Sequence, residues 1–166
     1  MTNDSILLDQ ILGQMKSELG YDGKDSDYFE LFTSEQILKE YELSYEELNY
    51  GIVGDGGDGG IDSIYTLVNG DLVIEDSEFS KLKQDISIDI VINQAKTSPG
   101  FEEGAIDKLK TSFDELFDLA IDLKNLKAVY NDKLLLNIAN FRMIYLQLAS
   151  KFPKMRITIN YITKGD

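Results

Sequence analysis

The sequence predicts an α/β domain of three layers, a mixed sheet with helices packed against it. Two observations carry that expectation. Apolar residues recur at helical spacing near the N-terminus and again after residue 101, whereas the segments at 61–74, 86–96 and 155–163 alternate or are rich in β-branched residues. The order along the chain is helix, helix, short helix, three strands, two helices and a last strand. With 166 residues and 43% hydrophobic content the chain can bury one core of the size usual for a domain of ~100–200 residues. It contains no internal repeat and no low-complexity segment.

Residues 5–19 place Ile6, Leu7, Leu8, Ile11, Leu12, Met15 and Leu19 on a helical face, with Ser5 or Asp4 as the expected cap. "YDGKDSD" interrupts, and "YFELFTSEQILKEY" resumes helical spacing through Phe29, Phe32, Ile37 and Leu38. "SYEE" at 44–47 fits a capping box, Ser44 as cap and Glu47 three positions on. "IDSIYTLV", Asn69-Gly70 and "DLVI" predict a β-hairpin, because Asn-Gly readily takes the positive φ values of a type I′ turn. After the polar stretch "EDSEFSKLKQD", the strand predicted over 86–96 sets Ile86, Ile88, Ile90, Ile92, Gln94 and Lys96 on one side. Ser87, Asp89, Val91, Asn93 and Ala95 fall on the other. A long amphipathic helix is expected from Phe101 to about Lys127, through Ile106, Leu109, Phe113, Leu116, Phe117, Ala120 and Ile121. A second is expected from Asp132 to Phe152, stopped by Pro153, and "MRITINYIT" closes the chain as a strand.

Composition removes several chemistries. There is no cysteine, which excludes disulfides, thiolate metal sites and cysteine nucleophiles and favours an intracellular, cytoplasmic address. There is no histidine, which removes the commonest general base and imidazole-based zinc sites. The N-terminus lacks the basic region of a signal peptide, and no stretch approaches the ~20 apolar residues of a membrane span, so no membrane partner is expected. Net charge is −14, unfavourable to phosphate backbones taken alone. Residues 1–50 hold 12 acids and 3 bases, 51–100 hold 9 and 3, and 101–166 hold 9 and 10. A phosphate-facing surface is therefore expected in the C-terminal third, or from bound metal or another domain.

The stretch "GIVGDGGDGGIDSIY" at 51–65 invites three functional readings. Residues 54–59 formally match G-x-G-x-x-G, but a dinucleotide loop needs a strand before it and a helix after it, and here a short helix precedes and a strand follows. A calcium loop counted from Asp58 would need glycine sixth and glutamate twelfth, where Ser63 and Asn69 stand. A plain turn-rich loop accounts for the glycines and for Asp55 and Asp58. The approach to a metal site gains support from "NQAK" at 93–96, where Gln94 and Lys96 continue a strand face that is otherwise isoleucine. Antiparallel pairing could bring Asp62, at the start of one strand, beside Gln94 and Lys96 at the end of another. A carboxylate and an amide oxygen can hold Mg²⁺, and a lysine can position water and offset charge on phosphate.

Glu30 in "FE" on an early helix, "GDGGDGGID" ending in Asp62, and "QAK" before a long helix together resemble the PD-(D/E)XK nuclease core in its Mrr-like form, with glutamine in the middle position. More narrowly, "DGGDGGIDSIYTLVNG" with "VINQAKTSPGFEEGAIDKL" looks like the N-terminal region of the abortive-infection phage-resistance (AIPR) family, over most of residues 27–127. The resemblance implies a restriction-endonuclease-like fold of core order α-β-β-β-α-β, here with extra N-terminal helices over 1–26, a core over 27–166 and one extra helix before the last strand. It implies Asp62, Gln94 and Glu30 as metal ligands, Asp58 as a second-tier one, and Lys96 as the catalytic lysine. The cofactor implied is Mg²⁺, for which Mn²⁺ can substitute, and the substrate is DNA or RNA cut in antiphage defence. Family members run longer, so further C-terminal domains are expected, and a homodimer by analogy with two-strand cleavage. The alternative is a non-catalytic nuclease-like binding or assembly module, which the net charge favours and the Asp62/Gln94/Lys96 set opposes.

Overall fold

The computed structural model describes residues 1–165. Helices α1 (Asn3–Leu19), α2 (Asp25–Ile37) and α3 (Tyr45–Tyr50) precede strands β1 (Ser63–Val68), β2 (Asp71–Leu72) and β3 (Ser87–Lys96). Helices α4 (Glu103–Leu116) and α5 (Asp132–Leu148) and strand β4 (Lys154–Thr163) follow. The four strands form one mixed sheet in the order β2-β1-β3-β4, β1 antiparallel to both its neighbours and β3 parallel to β4. Among the described residues no helix is long and apolar enough to cross a membrane.

The two faces of β3 divide the core as the alternation predicts. Ile86, Ile88, Ile90 and Ile92 pack with Ile64 of β1, Leu109 and Leu116 of α4, and Leu134, Ile138 and Phe141 of α5. On the opposite face Val91 and Ala95 join Tyr65 and Leu67, covered by Phe29 and Leu31 of α2, Leu48 of α3 and Leu12 of α1. A sheet with helices on both faces is the expected three-layer arrangement. Because α1 contributes to the second layer through Leu12, residues 1–26 belong to the packing of the core, and the boundary drawn at 26/27 falls in the first turn of α2.

Local chemistry explains most of the element ends. The Ser44–Glu47 capping box forms in both directions, and Asn69 and Gly70 turn the hairpin with φ of 50° and 88°. The cap of α1 is Thr2, whose hydroxyl accepts from Ser5 N, in place of Ser5 or Asp4. The helix expected over 101–127 stops at Leu116. The reason lies in two competitions for its backbone. Asp118 and Asp122 accept the amides of Ala120 and Lys124 on their own carboxylates, a local alternative to helical bonding. Arg142 of α5 then donates to the carbonyls of Leu116, Asp118 and Ile121, satisfying groups that a continuing helix would have used. The second helix ends at Leu148 and tightens into a 3₁₀ turn, Ala149–Lys151, before Pro153.

Candidate metal centre at the β1–β3 crossing

The register pairs Ser63 with Asn93, so one step further Asp62 stands opposite Gln94, and both share the sheet face that carries Ile64 and Ile92. Asp62 is held at every backbone polar group. Its N–H donates to the Asn93 carbonyl at 2.9 Å, and its own carbonyl accepts from Val53 N at 2.8 Å and Gly54 N at 3.1 Å. Its carboxylate accepts from Ala95 N through Oδ2 at 2.7 Å, leaving Oδ1 for another partner. Gln94 is 3% exposed, and its Oε1 is buried without a hydrogen-bond partner. Lys96 ends β3 two residues further on the same face.

Glu30 reaches this place from α2, on the other layer. The link is Gly54: a Cβ built there would lie 3.1 Å from both Asp62 Oδ1 and Glu30 Oε2. The two oxygens are thus no further apart than twice that distance, and any side chain at position 54 would intrude on both. Burial is the main influence on each carboxyl. Glu30 is pushed up to about 8, by desolvation and then by the neighbouring charge of Asp62. Asp62 is pushed up to about 6, by desolvation that the Ala95 amide and the Lys96 ammonium partly offset.

The glycine stretch is a clamped loop. Asn131, the cap of α5, donates from Nδ2 to the carbonyls of Val53 and Gly56, both at 2.8 Å, and from its backbone N–H to Gly57 O at 2.7 Å. Ser112 of α4 donates to Gly59 O at 2.6 Å. Gly59 has φ of 62°, and a Cβ there would stand 2.2 Å from Ser112 Oγ, so this position requires glycine for both backbone and space. Asp58 accepts the Gly60 N–H at 2.8 Å and lies 3.9 Å from Lys108 Nζ, which makes it a turn residue with a cationic neighbour.

The sequence-expected residues Glu30, Asp62, Gln94 and Lys96 therefore converge at one end of the sheet, and the charge of Asp58 reaches both carboxyls while its own Oδ1 is engaged by the Gly60 N–H. Among the described residues no three His, Cys, Asp or Glu side chains gather as a metal-binding group, and the donor set here is two carboxylates and an amide. That set suits a hard, oxygen-seeking cation. The unpartnered Gln94 Oε1, the free Asp62 Oδ1 and the bare Gly54 between Asp62 and Glu30 all fit such an ion. Gly54, Ser112 and Asn131 are contributors that sequence reasoning missed. Asn131 was legible as a helix cap from its place before Asp132, but its reach back to Gly56 had no local signal. The apolar concavity between α1, α2 and α3, lined by Met15, Tyr28, Leu31 and Leu48, lies apart from this cluster and carries none of its chemistry. No protein-family model matches the chain, and no curated protein or solved structure is significantly similar to it.

Proposed function

We propose that this domain is a Mg²⁺-dependent phosphodiester hydrolase acting on nucleic acid in antiphage defence, restriction-endonuclease-like in fold and resembling the AIPR N-terminal region. The observation that carries the reading is a buried amide oxygen without a hydrogen-bond partner, Gln94 Oε1, opposite the buried carboxylate of Asp62. Leaving a buried acceptor unpaired costs about 1–3 kcal/mol, and a cation held by oxygens removes that cost while neutralising Asp62 and Glu30. The run β1, β2, β3, α4 with α5 before β4 is compatible with the α-β-β-β-α-β core and its one added helix.

Bound by Asp62 Oδ1, Gln94 Oε1 and Glu30, Mg²⁺ would polarise a phosphoryl oxygen and neutralise charge. The protein's own groups do the rest. Ala95 N–H fixes the second oxygen of Asp62, so the carboxylate presents a single, oriented donor. Lys96, about 7 Å along the strand from Gln94 at the usual rise per residue, aligns a water through its ammonium and offsets charge on the phosphate oxygens. The water oxygen forms the new P–O bond as the P–O3′ bond breaks, and the 3′ oxygen leaves with a solvent proton. With no histidine in the chain, the proton of the attacking water passes to a substrate phosphate oxygen.

The test compares the wild type with Lys96→Ala and Asp62→Ala for DNA and RNA cleavage in Mn²⁺, with metal binding measured alongside. Lys96→Ala should bind metal and lose roughly 10²-fold or more in cleavage rate, and Asp62→Ala should lose both properties. Equal inertness of wild type and Lys96→Ala with metal demonstrably bound would remove the nuclease assignment. The charge of −14 favours the second reading, a nuclease-like binding or assembly module, for which that result would be the expected one.

A further inference from the structure

A chain of four buried or half-buried polar side chains crosses the sheet, and three of its members, Ser34, Ser63 and Asn93, are close in sequence to the three oxygen donors. Asn160 Nδ2 of β4 donates to Asn93 Oδ1 at 2.9 Å, and Asn93 Nδ2 donates to Ser63 Oγ at 3.0 Å. Ser63 Oγ and Ser34 Oγ are 2.9 Å apart, and the Ser34 hydroxyl donates to the Glu30 carbonyl at 2.8 Å. With the Ser34 proton on Glu30 O, Ser63 can supply the proton between the serines, and both hydroxyls also face that of Tyr65. The bonds run from the β4 edge through β3 and β1 into α2.

Ser34, Ser63 and Asn93 are at most 1% exposed, on the α2-facing side where their neighbours are Phe29, Tyr65, Val91 and Ala95. Small apolar residues would fill that layer without hydrogen-bond obligations, so a polar chain there specifies a geometry rather than supplying burial. Its contact points carry the specificity. Ser34 lies one turn after Glu30, Ser63 directly follows Asp62, and Asn93 directly precedes Gln94. The chain crosses one boundary between layers, at the Ser34–Ser63 bond, which joins the helix bearing Glu30 to the strand following Asp62.

We propose that Ser34, Ser63, Asn93 and Asn160 are positioning residues that hold Glu30, Asp62 and Gln94 in register as one cation-binding set. This rests on the metal-site reading above. None of the four touches the cation or the substrate, so their effect reaches the metal only through the donors they hold.

The test is Mn²⁺ titration of the folded protein for wild type, Ser34→Ala, Ser63→Ala and the double variant, with thermal stability recorded on the same samples. Each single variant should weaken Mn²⁺ binding roughly 10-fold, the order contributed by residues that orient metal ligands. The double variant should lose less than the two single effects combined, because the Ser34–Ser63 bond is already lost in either single variant. A drop in melting temperature with Mn²⁺ affinity unchanged would overturn the proposal, since a purely structural network moves stability alone. Should either serine variant fail to fold, Asn160→Ala removes only the outermost donor at a half-buried position, and it must still weaken Mn²⁺ binding in the same direction. Asp62→Ala separates the two claims. If wild type binds no Mn²⁺, or Asp62→Ala binds it equally well, the metal reading fails and this inference with it. If Asp62→Ala abolishes binding while the network variants bind as wild type, only the inference fails.

Discussion

Replacing Asp62 with Asn should make the metal-free protein more stable at neutral and alkaline pH while abolishing its response to Mg²⁺. Asp62 is 6% exposed, and its carboxyl is pushed up to about 6 from an ordinary value of 3.8. The folded state therefore binds the proton more tightly than the unfolded chain does. Stability contributed by the neutral carboxyl is full below about pH 4 and is lost as pH rises through about 6, leaving the ionised form about 3 kcal/mol worse off at higher pH. Asn keeps an oxygen for the Ala95 N–H and carries no charge, so it escapes that penalty. Allowing for weakening of the charge-assisted bond to Ala95, a net gain of about 1–3 kcal/mol is expected, or roughly 3–10 °C in melting temperature for a domain of this size. The assay is thermal unfolding in chelator near pH 8 and near pH 4, then with Mg²⁺. The gain should appear at the higher pH and vanish at the lower, and only wild type should be raised by Mg²⁺. An Asp62→Asn variant clearly less stable than wild type in chelator near pH 8 would refute the reasoning, because it would make the carboxylate a structural acceptor rather than a charge the fold tolerates.

Two further predictions concern the loop that frames the site. Gly59→Ala should cost roughly 2–3 kcal/mol in denaturant unfolding, combining a positive φ with a clash against Ser112; a loss under about 1 kcal/mol would mean the loop is not clamped. Asn131→Ala removes the α5 cap and two bonds to the carbonyls of Val53 and Gly56, so it should cost about 2–3 kcal/mol and raise hydrogen exchange in residues 54–60. A variant with unchanged exchange in that loop would contradict the assigned role.

What could be read from the residues follows the range of the interaction responsible. The β3 faces were legible because alternation is a period of two and each face meets one layer. Asn69-Gly70 was legible because the turn geometry is local. The Asp62–Gln94 approach followed from antiparallel pairing of two strands joined by a hairpin and a loop. The end of α4 did not follow, because the apolar period runs on through Ile121 while the stopping groups are Asp118, Asp122 and an arginine 26 residues from Leu116. The arrival of Glu30 depends on how α2 docks across the sheet, and periodicity carries no information on docking. The same holds for the polar chain from Asn160 to Ser34: Ser63 and Asn93 read as ordinary strand residues until β4 and α2 supply their partners.

The charges around the site bear on the order of binding. Asp62 and Glu30, when ionised, outweigh the single cation Lys96, and Asp58 with Lys108 nearby contributes no net charge. A phosphodiester approaching the metal-free site near pH 8 therefore meets net negative charge in a chain of −14. One divalent cation reverses that local sign, and so nucleic-acid binding should require the metal rather than merely be followed by it. Fluorescence anisotropy of a labelled oligonucleotide, compared in chelator and in Ca²⁺ at fixed ionic strength, measures this directly. Binding should be detectable only with the cation and should be lost in Asp62→Asn even though that variant is the less acidic protein. Equal binding in chelator and Ca²⁺ would place the nucleic acid on a surface away from Asp62, and would leave the convergence of Glu30, Asp62 and Gln94 without a substrate to explain it.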